Sequence, residues 1–141
     1  MNREKGFTLT EILITFLVIA VVASIAIPGF SNARKKAAAN QAIAYLRTIR
    51  TAEKMYYAKW KSYYAYSGSA AIKTGLSAET ASADYVFSVA APIVAPATVA
   101  TTFSAMARKG STAPTNCTDS DTICVDQDGA WTGASSYKPA S

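Results

Sequence analysis

The hydrophobic pattern divides the chain into two unequal parts. Residues 7–27 are almost entirely apolar, and no charged residue lies between Ile12 and Ile27. The remainder mixes polar and apolar positions in the way a small globular domain does. The apolar run has about 21 residues, which as a helix is long enough to cross the roughly 30 Å hydrocarbon layer of a membrane.

Helical periodicity resumes directly after Pro28 and Gly29. Apolar side chains recur there at spacings of three, four and seven, with an interruption at Glu53; they are Ala42, Leu46, Ile49, Tyr56 and Trp60. Because proline removes a backbone donor and clashes with the carbonyl four residues earlier, either the helix stops at Pro28 or one helix continues with a kink. One helix from Phe7 to about Lys61 would be roughly 80 Å long. A domain of this size cannot bury that length, so lipid or other copies of the chain must cover its first half.

Period-two alternation predicts β-strands in the C-terminal half. Residues 67–83 are rich in Ser, Ala, Gly and Thr and predict a variable loop with a short turn. Strand-like alternation follows at residues 84–90, 101–108 and 122–126, and Pro92 and Pro96 break the run after the first of these. Asp128-Gly129 is a hairpin signal leading into residues 130–132. The predicted fold is therefore α+β, with the long helix packed on an antiparallel sheet of three or four strands.

Charge is low and unevenly distributed. Charged residues make up 16% of the chain and apolar residues 50%, and the formal net charge is +5. The segment from residue 34 to residue 61 contains a single acid, Glu53. Its eight basic residues are Arg34, Lys35, Lys36, Arg47, Arg50, Lys54, Lys59 and Lys61. Four aspartates and no base lie between Asp119 and Asp128. The basic and the acidic segment could pair between subunits, and the basic one could bind the phosphate of lipid or DNA. Alternatively, both are simply solvated.

Candidate chemistry is sparse. The chain has no histidine, so it lacks the commonest general base and the commonest metal ligand. No nucleophile–base set is recognisable, and we expect neither an enzyme nor a cofactor. Cys117 and Cys124, in an exported chain, predict one disulfide. Asp126-x-Asp128-Gly129 resembles part of a calcium loop, but the twelve-residue pattern lacks its closing Glu, so we expect a turn, solvated acids and no metal.

Glu11 is the odd residue of the apolar run. A carboxylate at membrane depth costs roughly 2.5–3.5 kcal/mol and needs a partner. An ordinary secretory signal would be cut after the run, at residues 23–26, but an acid at its start is unusual for such a signal. Cleavage before Phe7 would create an α-amine four residues away, with a pKa of about 7.7–8.0. That amine could meet its own Glu11 or that of a staggered neighbour; otherwise Glu11 is an acid tolerated near the interface.

The junction around Phe7 resembles that of a known family. Residues 5–11, Lys-Gly-Phe-Thr-Leu-Thr-Glu, resemble the class III leader junction of type IV pilins and pseudopilins, and depart from it at Thr10, where the family often has an aliphatic residue. The resemblance implies cleavage between Gly6 and Phe7 by prepilin peptidase, N-methylation of Phe7, and neutralisation of an adjacent subunit's α-amine by Glu11. It favours a kink at Pro28. Loss of the leader would leave a net charge of +4, since two bases and one acid are removed from +5.

The resemblance also implies a division of the chain and a role. Residues 1–6 would be the leader, 7–28 the transmembrane and filament-core helix, 29–66 the amphipathic second half of the helix, and 67–141 the globular loop and sheet domain with its disulfide. The implied protein is a structural subunit of a type IV pilus, a homo-oligomeric helical filament for attachment, motility or DNA uptake. It would lie in the inner membrane before assembly and outside the cell afterwards. The alternative is a minor pilin or a type II secretion pseudopilin, although the aromatic-proline-glycine signature of the major pseudopilin is not found.

Six aromatic residues crowd around the predicted end of the helix: Tyr56, Tyr57, Trp60, Tyr63, Tyr64 and Tyr66. Tyr56, Trp60 and Tyr63 share one helical face, and we expect them to pack in the core against the sheet. Tyr57 and Tyr64 fall on another face, and we expect them to be exposed.

Basic residues interleave with these aromatic rings, as they do in grooves that bind nucleic acid. This composition gives a second functional hypothesis, in which Lys59 and Lys61 with the neighbouring rings hold DNA. Packing of the helix end on the sheet explains the same composition, and it is the interpretation that we favour.

Overall fold

The computed structural model describes residues 7–91 and 100–140, and of residues 26–29 the backbone alone. Its elements are the helices α1 (Leu9–Trp60) and α2 (Ser69–Leu76) and the strands β1 (Tyr66–Ser67), β2 (Tyr85–Ala90), β3 (Ser104–Lys109), β4 (Thr122–Asp126) and β5 (Trp131–Thr132). This arrangement confirms the predicted α+β class. The chain divides into two compact units, Met1–Lys35 and Lys36–Ser141, and α1 runs through both.

Helix α1 continues without a break from Leu9 to Trp60. The alternative in which a first helix stops at Pro28 and a second begins is therefore wrong. The kink at Pro28 stays a prediction. Gly6, Pro92 and Pro96, which carried other expectations, lie outside the described residues.

The end of α1 corrects the predicted boundary at residue 66. Trp60 is the last helical residue, and Lys61 adopts a left-handed φ of 57° while its N–H still donates to the Tyr57 carbonyl at 2.8 Å. A left-handed residue after the last turn ends a helix and redirects the chain. Residues 61–66 are consequently not helical, and Tyr66 begins strand β1.

The core of the second unit lies between one face of α1 and one face of the sheet. The predicted helical stripe is confirmed at Ala42, Leu46 and Ile49, which are all fully buried. The sheet and α2 supply the rest of this core: Ile72, Tyr85, Phe87, Val89, Phe103, Ala105, Ala107, Ile123 and Val125. The alternation seen in the sequence is the physical reason, since side chains two apart in a strand share a face.

The sheet is an antiparallel meander of five strands in the order β1-β2-β3-β4-β5. The four predicted strand segments correspond to β2, β3, β4 and β5, and the count of three or four misses β1, which has two residues. Phe87 pairs with Ala107, and Ala107 pairs with Ile123, so core side chains form rows across the strands.

The opposite face of the sheet is also covered. Ser88, Met106 and Cys124 form the matching outer row, and all three are buried. The Ser88 hydroxyl donates to the Pro114 carbonyl at 2.6 Å. The disulfide between Cys117 and Cys124, with a Cα–Cα distance of 5.9 Å, confirms the predicted pairing. The segment after β3 is thus held over the outer face by one hydrogen bond and one covalent link.

Helix α2 contradicts the expectation that residues 67–83 form a loop with a short turn. Ser69–Leu76 is an eight-residue helix with a single buried side chain, Ile72. Alanine has the highest intrinsic helix propensity, and Ser77, with a φ of 53°, ends the helix in the left-handed region. The single apolar residue Ile72 is enough to pack α2 against the core. One apolar residue gives no periodic pattern, so the sequence does not predict this helix.

Removing the disulfide is expected to lower the free energy of unfolding by about 2–4 kcal/mol, because the cross-link restricts the unfolded chain. The variant is Cys117→Ser with Cys124→Ser, compared with the wild-type chain by denaturant unfolding in detergent. Reduction of the wild-type chain should produce the same loss. Equal midpoints for the oxidised and reduced chains would contradict a stabilising role for the cross-link.

Candidate functional site

The N-terminal turn of α1 presents Glu11 near the start of the helix. The Thr8 hydroxyl accepts the Glu11 N–H at 3.3 Å, and the Thr10 hydroxyl lies 3.1 Å from that of Thr8. A hydroxyl that accepts from the third helical residue is an N-cap, and it fixes where the helix begins. Glu11 therefore lies in the first turn, where a carboxylate is favourable to the helix dipole. The ion pair of Lys73 with Glu79, at 2.9 Å, does not involve it.

The apolar surface that follows Glu11 is uncovered. Every residue from Phe7 to Ile25 is exposed, with 79% of Phe7 and 67% of Phe16 accessible. The polar groups inside this stretch are satisfied within the helix, since the hydroxyls of Thr15 and Ser24 donate to the carbonyls of Ile12 and Val21 at 2.8 and 2.7 Å. A helix with no unsatisfied hydroxyl and an apolar circumference suits an apolar medium.

The length and apolar composition of the described helices give a mixed indication of a membrane span. No single helix among the described residues is long and apolar enough to span a bilayer, whereas the stretches Leu9–Ile25 and Phe30–Trp60 meet both criteria together. The spanning role of residues 7–28 stays a prediction.

The aromatic cluster is arranged differently from the expectation. Trp60 was expected in the core and is 58% exposed, with the Lys59 ammonium 5.0 Å above its ring. Tyr57 was expected to be exposed and instead is half-buried, stacked on Tyr63 at 4.5 Å. Tyr64 is 54% exposed, as predicted.

The partial burial of the cluster follows from where its rings can pack. The Tyr63 ring continues onto Phe103 of the core at 4.7 Å, so the rings near the sheet are structural, whereas Trp60 and Tyr64 face outwards. Lys59 and Lys61 are also exposed. Their proposed contact with DNA stays a prediction.

Sequence reasoning missed Glu53 as a core residue. It was taken as an interruption of the apolar stripe, yet it is completely buried. Burial raises the pKa of its carboxyl from 4.5 to about 7, and the hydrogen bond from the Tyr64 N–H partly offsets the rise. The signal was its spacing, because Glu53 follows Leu46 by seven residues and Ile49 by four, which keeps it on the buried face.

The acidic residues of the C-terminal part serve as turn and loop acceptors. The Asp126 Oδ1 accepts the N–H groups of Asp128, Gly129 and Ala130 at 2.8–2.9 Å. The Thr115 N–H lowers the pKa of the Asp119 carboxyl. Within the described part of the chain, no group of three or more acidic, cysteine or histidine residues could hold a metal ion.

Comparison with known proteins identifies the N-terminal segment. Residues 1–27 match a family model described as the prokaryotic N-terminal methylation motif. The chain is 35% identical over 85 residues, covering 60% of its own length and 64% of the relative's, to the type IV wide pilus major component PilA4 of Thermus thermophilus. It is 33% identical over 61 residues, 43% of its length and 28% of the relative's, to the type IV major pilin protein PilA of Myxococcus xanthus. The chain is similar to type IV pilins.

The pilin-like chain is also similar to a secretion component. It is 32% identical over 56 residues, 40% of each chain, to the type II secretion system core protein G of Klebsiella pneumoniae. It spans less than two thirds of the length of each of these relatives. No solved structure matches it. Its relatives are pilus and secretion-system components by name.

Proposed function

We propose that this chain is a structural subunit of a type IV pilus, which polymerises through the first half of α1 into an extracellular filament. The observation that carries the proposal is the uncovered apolar surface from Phe7 to Ile25, which lies within the methylation motif matched at residues 1–27. Burying apolar surface yields roughly 25 cal/mol per Å², so this surface strongly favours lipid or other copies of itself over water.

The order of events follows from the same surface. In the precursor, residues 7–28 lie in the inner membrane, and prepilin peptidase cuts between Gly6 and Phe7. N-methylation of Phe7 and extraction by the pilus assembly machinery follow, and neighbouring helices then take the place of lipid. Glu11 lies four residues from the new α-amine, and in a staggered stack it pairs with the amine of the adjacent subunit. An ion pair in an apolar medium is strong, so it fixes the register of the stack.

The pilus role is preferred to a pseudopilin role on the similarity that extends furthest. The match to the wide pilus major component covers 60% of the chain, whereas the match to secretion protein G covers 40%. The longer match reaches beyond the N-terminal helix segment that pilins and pseudopilins share.

The test is mass analysis of the N-terminus of the chain in filaments sheared from producing cells. A methylated peptide that begins at Phe7, as the dominant N-terminus of the sheared material, is the expected result. A chain that begins at Met1, or one cut after Ala26, would refute the proposed processing. A chain that is cut before Phe7 and stays in the cell envelope, missing from sheared filaments, would refute the pilus role and favour the pseudopilin role.

A further inference from the structure

Glu53 is a buried acid with an incomplete set of partners. It lies on the core face of α1, seven residues before the helix ends, and its exposed fraction is 0%. Its Oε2 accepts the Tyr64 N–H at 3.4 Å, while its Oε1 has no hydrogen-bond partner. Burying an ionised carboxylate without a partner is costly, and the cost falls sharply when the group takes up a proton.

The groups that face Glu53 do not compensate a negative charge. Arg50 lies one turn earlier on α1, but its guanidinium donates to the Gln127 carbonyl at 3.1 and 3.3 Å. No cation lies within ion-pair distance of Glu53 among the described residues. The titratable side chains that interact with the charge of Glu53 are the phenols of Tyr63 and Tyr66. Those phenols in turn face Tyr57 and Asp128, and Tyr56 and Tyr64, respectively.

Two of these phenols are shifted by the same burial. Burial in the first place, and then the charges of Tyr56 and Glu53, raise the pKa of Tyr66 to about 12. Burial and the neighbouring Tyr57 and Glu53 raise the pKa of Tyr63. For Glu53 itself, burial favours the neutral carboxyl and raises its pKa to about 7.

Glu53 is bonded to the segment that leads from α1 into the edge of the sheet. Tyr64 belongs to residues 62–67, which end in the two-residue strand β1. The backbone of this segment is otherwise held by the Tyr63 N–H bond to the Ala100 carbonyl at 2.9 Å, by the Ala100 N–H bond to the Ser62 hydroxyl at 3.2 Å and by the short pairing of β1 with β2. The Tyr63 ring also packs on Phe103. Because the backbone bonds are few and lie at an edge, the backbone around Tyr64 can open locally.

We propose that Glu53 is a proton-controlled latch, which in its neutral form holds residues 62–67 against the sheet and on ionisation releases them so that its carboxylate reaches water. The inference does not rest on the pilus role, since it concerns the second unit alone. Its direction follows from linkage. The folded-state pKa lies above the ordinary value of 4.5, so the stabilisation is fully present below pH 4.5 and is lost as pH rises through about 7.

The experiment is amide hydrogen exchange of the full chain in detergent at about pH 5.5 and about pH 8.5, corrected for the intrinsic exchange rate at each pH. In the wild type, the protection factors of Tyr64 and Tyr66 should fall at least about tenfold at the higher pH, which is the effect of one pKa unit. Amides in the middle of α1, such as that of Leu46, should keep their protection and report the integrity of the core.

Two variants separate the latch from a general effect of pH. Glu53→Gln keeps the shape without the titration, so its protection at Tyr64 and Tyr66 should not fall with pH. Glu79→Gln removes an exposed carboxylate that pairs with Lys73, and it should retain the wild-type pH dependence. An unchanged wild-type protection, or the same fall in Glu53→Gln, overturns the proposal.

A direct titration covers the case in which Glu53→Gln does not fold. The side-chain carboxyl carbon of Glu53 is followed by NMR in the wild-type chain as a function of pH. A midpoint near 7, together with the loss of protection at Tyr64 over the same range, supports the latch. A midpoint near the ordinary value of 4.5 overturns it.

Discussion

Glu11→Gln is expected to reduce surface filaments at least about tenfold while the chain stays at wild-type levels in the membrane. A glutamine keeps the size and the helix-compatible geometry of the glutamate but removes the charge that pairs with the neighbour's α-amine. A difference of one ion pair in an apolar medium is worth several kcal/mol, and each 1.4 kcal/mol is a factor of ten in an equilibrium. The measurement is the amount of chain in the sheared filament fraction relative to the membrane fraction.

The matched control for Glu11 is Thr10→Val at the neighbouring position. In this first helical turn, the Thr10 hydroxyl is hydrogen-bonded to that of Thr8 at 3.1 Å, and valine has nearly the same shape as threonine. Filaments of this variant should remain at the wild-type level. Wild-type filaments from Glu11→Gln would show that the carboxylate is merely tolerated near the interface, which is the alternative that the sequence leaves open.

Gly133→Ala is expected to lower the free energy of unfolding by more than about 3 kcal/mol, because two separate penalties coincide. Gly133 has a φ of 116°, which residues other than glycine rarely adopt. A Cβ at this position would also collide with the Thr122 carbonyl oxygen. That carbonyl also accepts the Ser135 N–H at 3.1 Å, so it cannot move without breaking a bond of the buried Ser135. Denaturant unfolding of the full chain in detergent measures the effect.

Gly110→Ala is the control that separates the two penalties. Gly110 has nearly the same φ, 117°, and a Cβ there would meet nothing within 4 Å. This variant should lose only the backbone component, on the order of 1 kcal/mol. Equal losses in the two variants would show that the collision with Thr122 is relieved by a small shift, and that the close approach of residue 133 to the Thr122 backbone does not constrain it.

The sequence was sufficient for the parts of the fold that depend on local patterns. The β-branched and aromatic residues of β2 predict a strand, and Asp128-Gly129 marks the turn into β5 because Gly129 needs a φ of 95°. The N-terminal motif consists of consecutive residues, so it is recognised without any knowledge of the fold.

The errors fall where tertiary packing overrides local character. Glu53 is polar and buried, and Trp60 is apolar and exposed, although the two lie seven residues apart on one helical face. The buried side chains of α1 run from Ala39 to Glu53, so the face stops being covered between Glu53 and Trp60. Periodicity gives the direction in which a side chain points, but not where the opposing surface ends.

The sequence predicts the N-terminal part of the candidate site, residues 7–11, but not the burial of Glu53. Residues 7–11 are recognised by type and order alone. The burial of Glu53 depends on how residues 62–67 return over the helix end, and that return is set by the left-handed Lys61 and by the bond from Tyr64. Neither feature has a signature in residue type, since lysine is uncommon in that conformation.

The lengths of the five strands limit how the sheets of two copies can associate. The central strands β2 and β3 have six residues each, while the outermost strands, β1 and β5, have two. A sheet whose edges are so short offers little unpaired backbone to another sheet, and long flat edges are what drive edge-to-edge aggregation. Copies of this chain at high concentration are therefore protected against amyloid-like association through their sheets.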